Sequence, residues 1–235
     1  MNTLAEYLAF AQAHPGLFVN PPQSETVILL NENKIHEAER QEAQRLVAQS
    51  MPTEWAKVGI AYQDQYVLLL RDAVRFADGS LGTLVRSVDE NEHPQGVVVL
   101  PLHQGKMLLI RHFRHEKRDW QLEIPQGFGV PGLSSEESIR LELKEEIDAS
   151  ISRLVPLGQV HLDTSSGSNC VDLFFAELDS YGEVEPQEGI AELLLISISE
   201  VEQMILRNEL DNLFLLVTYA RAKFCLLYTS DAADE

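Results

Sequence analysis

Basic residues are scarce in this chain. Lys and Arg number 18 against 37 Asp and Glu, a formal net charge of -19 at pH 7 over 235 residues. A polyanion needs a basic surface, so DNA and RNA are excluded as main partners. Cysteine is nearly absent too: Cys170 and Cys225 are too few for a disulfide scaffold or a Cys-based zinc site. No apolar run reaches the roughly 20 residues of a membrane span. The opening Met1-Asn2-Thr3-Leu4-Ala5-Glu6 lacks the basic and apolar regions of a signal peptide. These absences predict a cytoplasmic protein with no membrane partner. What is present is apolar mass: 45% hydrophobic residues, enough to bury a full core. The length suits one large domain, or one domain with an elaborated end.

Residues 225–235 read CLLYTSDAADE, which resembles the translation of a sequencing-library adapter. The apolar periodicity of Leu213, Leu216, Val217, Ala220 and Phe224 has no continuation there. The expectation is a non-native tail, set aside from fold reasoning. The alternative is a genuine C-terminal tail.

Along the rest of the chain the hydrophobic period changes twice. Leu4–Ala13 and Ile35–Gln49 carry helical stripes, with Thr26–Leu30 between them as a short strand. This predicts an N-terminal helical arm over 1–57. From Val58 short strands are predicted at Tyr66–Leu70, Ala73–Phe76 and Leu84–Val88, the last two joined by an Asp78-Gly79 turn. They define a small antiparallel subdomain over 58–93, closed by the polar break Asp89–Glu92. The main domain, 94–224, is predicted to hold strands at Val97–Leu102, Met107–Ile110, Trp120–Ile124, Val155–Leu162, Cys170–Glu177 and Leu193–Ile198. The apolar runs suggest a sheet covered on both faces. Strands and helices interleave without a regular period, which predicts a mixed sheet in an α/β fold. Capping boxes at Ser134/Glu137 and Ser199/Glu202 open two of its helices.

The chemistry concentrates after the loop PQGFGVPG. On the helix that follows, Ile139, Leu143 and Ile147 form one apolar stripe. Glu142, Glu145 and Glu146 recur at i, i+3 and i+4, within one third of the circumference and about 105° round from that stripe. Three anions so placed repel one another. A hard divalent cation with oxygen ligands relieves that repulsion, and Mg²⁺ retains sites for water and substrate phosphates. A Glu-rich helix face is otherwise a solvated one. The glycine-containing loop and the capped helix start favour the metal reading here.

The run LEIPQGFGVPGLSSEESIRLELKEEIDA resembles the Nudix hydrolase box. By that resemblance Gly127 is its first glycine, Glu142, Glu145 and Glu146 are metal-ligating, and Gln126 supplies a main-chain carbonyl to the metal. The preceding RHFRH segment, with Trp120 and LEIP, resembles the ADP-ribose pyrophosphatase branch, in which Arg114 matches an arginine that contacts the diphosphate. Three positions depart from the box: Leu133 replaces a glutamate, Leu141 an arginine and Asp148 the closing glycine.

The resemblance implies a Nudix α/β/α sandwich. The implied activity is Mg²⁺-dependent (Mn²⁺ as alternative) hydrolysis of ADP-ribose or a related nucleoside diphosphate sugar. It also implies a homodimer built through the N-terminal strands. Glu145 and Glu146 are the catalytic candidates on the helix. Asp163, in the later loop, is either a base or a turn former. Arg111, Arg114 and Glu123 are the substrate-side candidates, with Glu123 alternatively ordering the loop. Trp120 is expected to pack, and His112 and His115 to be structural. The departures leave open a catalytically weak nucleotide-metabolite sensor, or an enzyme acting on NADH or dinucleotides.

Overall fold

The computed structural model describes residues 3–65, 67–88, 95–164, 167, 169–182, 189–225 and 227. The polar break at 89–92 and the tail beyond Leu227 lie outside the described residues. The chain divides into two compact units, Met1–Glu92 with Leu162–Asn169, and His93–His161 with Cys170–Glu235.

In the first unit, α1 (Leu4–Ala13) starts at a capping box between Thr3 and Glu6 and stops at His14, before Pro15. Asn31 caps α2 (Glu32–Ala48). The strands are β1 (Val27–Ile28), β2 (Gly59–Gln63), β3 (Leu68–Arg75) and β4 (Leu81–Val88), all antiparallel about β3. Tyr7, Ala11, Ile35 and Ala38 of the two helices share one core with Ile60, Leu70 and Ala73 of the strands. The thin stripe of α2 needs an apolar face to cover, and the sheet supplies it. Each large aliphatic side chain so buried contributes about 1.5–3 kcal/mol.

Two predicted strands merge into β3. The polar pair Arg71-Asp72 lies between them, and Asp72 is 2% exposed. Its carboxylate accepts from the Tyr7 hydroxyl at 2.6 Å and pairs with Arg86 Nε at 2.5 Å. Burial and the Asp72 charge push the Tyr7 hydroxyl well above the usual tyrosine range. At the predicted turn, Gly79 has φ +83°, and Asp78 accepts from the Ser80 amide at 2.9 Å.

The second unit is built on one mixed sheet. Its strands are β5 (Gly96–His103), β6 (Lys106–Arg114), β7 (Asp119–Glu123), β8 (Gln126–Gly127), β9 (Ser150–His161), β10 (Cys170–Ser180) and β11 (Ile190–Ser197). The order is β11-β6-β5-β10-β9, with β7 on β6 and β8 on β5. Among the described strands of this sheet only the β5–β10 ladder is parallel. On one face α3 (Ser135–Ile147) buries Ile139, Leu143 and Ile147 against Val97, Val99, Leu108 and Ile110. On the other, α4 (Ile198–Leu206) and α5 (Leu213–Phe224) cover Val98, Leu100, Met107, Leu109 and Phe175. This is the expected α/β/α sandwich, with its sheet mixed. One cap differs: α4 starts at Ser197, whose hydroxyl accepts from the Glu200 amide at 3.2 Å, two residues before the expected Ser199. The strand ends at Ser197, and the nearer hydroxyl meets the free amides.

Candidate active site

β5 and β6 pair directly only beside their turn, at Leu102–Met107 and His103–Lys106. Farther along, β6 pairs with β7 and β5 with β8. The chain from β7 through Ile124-Pro125 into β8 therefore delivers Gly127 opposite Val97, a residue of the α3-side core.

Glycine is favoured there by contact rather than by backbone torsion. A Cβ on it would fall inside the Glu142 carboxyl group. The carboxyl of Glu142, half-buried on α3, thus lies against the bare main chain of the Gln126–Gly127 segment. Glu146, one turn on, is 5% exposed, while Glu145 is exposed. The helix is held at its start by the Ser134 capping box, with the Ser134 amide donating to Glu137 at 2.8 Å. Those hydrogen bonds hold the Glu137 carboxyl below its usual range. Buried Ser138 accepts from the Val130 amide at 3.1 Å, which ties the loop to the helix. At the other end Asp148 occupies the left-handed cap at φ 49°, in an ion pair with Lys144. The Gly182 amide closes on the Ile147 carbonyl at 2.8 Å.

Glu123 is fully buried. Arg114 donates to it as a fork, Nε at 3.0 Å and Nη2 at 2.6 Å. His112 Nδ1 lies 3.0 Å from Oε1, and Asn212 Nδ2 donates to Oε2 at 3.3 Å. Arg111 reaches Glu192 at 3.2 Å and lies over the Trp120 ring at 5.6 Å. Trp120 packs edge-on against Phe113 at 5.5 Å and remains 41% exposed. Lys117 pairs with Asp211 at 2.8 Å. That hydrogen bond, with another from Gln121, holds the Asp211 carboxyl below its ordinary range.

Gln126 and Gly127 present themselves differently. The partner of Gln126 across the ladder is Val98, of the α5-side core. The side chain therefore does not share the face of Glu142, and only its carbonyl remains a candidate ligand. Asp163 belongs to the Leu162–Asn169 loop of the first unit, where its carbonyl accepts from the Gly167 amide at 3.1 Å, a turn. Leu133 and Leu141 are 39% and 36% exposed. Sequence reasoning missed Asn212 as a site residue. Its position before the apolar stripe of α5 marks a cap, but nothing local shows that its amide reaches β7.

Hard carboxylate oxygens and a main-chain carbonyl suit a divalent cation such as Mg²⁺. Among the described residues no three His, Cys, Asp or Glu side chains are gathered as a preformed metal group. The fit rests on the Gly127 cradle, which places a carboxylate beside a main-chain segment that could offer a carbonyl.

A model of the NUDIX domain matches residues 92–215, more than half of the chain. The chain belongs to the Nudix family. The chain is a Nudix pyrophosphohydrolase by class. A solved structure described as an ADP compounds hydrolase aligns with it at a TM-score of 0.63 and 17% identity. The match covers 73% of this chain and 92% of that one, and it shows a shared Nudix fold. No curated protein matches the sequence.

Proposed function

We propose that this Nudix protein hydrolyses the diphosphate bond of ADP-ribose or a related nucleoside diphosphate sugar, releasing AMP and a sugar phosphate. The observation that carries the reading is the Glu142 carboxyl seated on Gly127, on a helix that also presents Glu145 and Glu146. The neighbour described as an ADP compounds hydrolase supports the choice of substrate class. Glu142, Glu145, Glu146 and the Gln126 carbonyl would hold Mg²⁺, or Mn²⁺ in its place. When bound, the metal supplies neutralisation of the pyrophosphate charge and a nucleophilic water at neutral pH.

The chain's own residues bind and orient. Arg114, with one edge locked on Glu123, turns its remaining Nη1 edge to a phosphate oxygen, a pairing that suits a guanidinium. Glu145, the exposed member, is free of the tight seat that constrains Glu142 and takes the proton from the attacking water. Arg111 supplies positive charge at the rim.

A homodimer through the N-terminal strands belongs to the same reading. Its support is β4, which among the described strands ladders only with β3 and whose other edge carries one isolated bridge, Ser87 to Gly167. A cytoplasmic setting rests on the sparse cysteines, and among the described residues no helix is long and apolar enough to cross a membrane.

The test is release of AMP from ADP-ribose with Mg²⁺, beside other nucleotide sugars, NADH and dinucleotides. Glu146→Gln is expected to lower kcat by about 100-fold or more. Tight binding of ADP-ribose without AMP release, or an unaffected Glu146→Gln enzyme, would overturn the reading.

A further inference from the structure

Arg114 is the phosphate-facing residue of the proposed function, and the inference below rests on that reading. A guanidinium on a strand end has several rotamers, and each lost rotamer costs binding energy unless it is lost beforehand. Here it is lost beforehand. Glu123, fully buried, accepts from both Nε and Nη2 of Arg114, a bidentate geometry that fixes the plane of the fork. What then fixes Glu123? Its Oε2 also accepts from Asn212 Nδ2 at 3.3 Å.

Asn212 is 8% exposed, and its amide is oriented by the helix it caps. Oδ1 accepts from the Leu215 amide at 2.9 Å. The cap therefore decides which end of the amide is the donor, since only the nitrogen remains to face Glu123. A buried carboxylate with a missing donor would shift to recover one. Arg114 would follow.

We propose that Asn212 is a positioning residue that acts through Glu123 to hold Arg114 in its phosphate-binding orientation, so that the start of the last helix sets substrate affinity. Asn212→Asp is the informative variant. Aspartate caps a helix as well as asparagine does, but it places an acceptor where Glu123 needs a donor. Asn212→Ser keeps a capping hydroxyl and removes the amide.

Both variants are expected to fold, with a Tm within a few degrees of the parent. Asn212→Asp is expected to raise KM for ADP-ribose about tenfold with kcat within about twofold, and Asn212→Ser to raise it less. In an Arg114→Ala background neither should add anything, since the residue they orient is gone. The Arg114 Nε–H resonance, read in the protein without substrate, is expected to shift and to exchange faster in both variants. An unchanged Arg114 Nε–H signal in Asn212→Asp overturns the proposal, and so does a KM effect of equal size in the Arg114→Ala background. If the parent protein hydrolyses nothing on the substrate panel, the proposed function fails by itself. The Arg114 resonance then decides the positioning role alone.

Discussion

The smallest decisive feature is a missing methyl group. Gly127 does not occupy a positive-φ position, so its need for glycine comes from the Glu142 carboxyl lying where a Cβ would be. Gly127→Ala must therefore push Glu142 off its seat or shift β8 against β5. The colliding atoms are the end of a flexible side chain, so moving the Glu142 carboxyl is the cheaper response. A displacement on the order of 1 Å at a ligand costs about 100-fold in rate. Gly127→Ala is expected to lose that much kcat while its unfolding midpoint falls only modestly, with steady-state AMP release and urea unfolding as the paired measurements. Full activity in Gly127→Ala would show that Glu142 works from another position. The same residue marks how far the site was legible in the sequence. The spacing of Gly127, Glu142, Glu145 and Glu146 could be read directly, because a helix repeats every 3.6 residues. The unequal burial of the three glutamates could not, since it depends on which strand passes beside each one.

Among the elements, local signals held where the chain satisfies itself and failed where a distant partner intervenes. The capping box of α3, the Asp78-Gly79 turn and the apolar stripe of α3 are all local, and all were readable. The unbroken β3 depends on Tyr7, 65 residues away from Asp72, and no window around Asp72 contains that information. Glu39 shows the same principle between α2 and β2. It is 7% exposed on α2, yet accepts from the Val58 amide at 3.0 Å and from Lys57 at 3.2 Å. Burial pushes its pKa up. The Val58 amide, His36 and Lys57 together outweigh burial and hold it below the ordinary glutamate value. A carboxyl depressed in the folded state binds protons less readily than in the unfolded chain. Its stabilising contribution is therefore complete above an ordinary glutamate pKa of about 4.3 and is lost as pH falls through the lower folded value. Glu39→Gln removes this titration. Urea midpoints measured from about pH 6.5 down to about pH 3.5 should fall less steeply in Glu39→Gln than in the parent. Parallel slopes would show that Glu39 does not carry the acid sensitivity.

At the scale of the whole molecule, charge works against the proposed reaction until cations intervene. The chain carries a formal -19, and the substrate's pyrophosphate is anionic as well. The hairpin of β6 and β7 gathers Arg111, Arg114 and Lys117, but these pair with Glu192, Glu123 and Asp211. Each pairing cancels most of the charge seen from a distance and leaves only short-range hydrogen bonding to recognise a phosphate. The long-range field is then repulsive, the reverse of the usual electrostatic steering. Monovalent salt shortens the reach of that field from about 30 Å at 0.01 M to about 10 Å at 0.1 M. With Mg²⁺ held at saturation, kcat/KM for ADP-ribose is therefore expected to rise about two- to fivefold over that range, while kcat changes little. Initial rates at substrate concentrations well below KM measure this directly. A steep fall in kcat/KM with salt would mean that the paired arginines still attract the substrate from afar, and that the acidic surface is too remote from the site to matter.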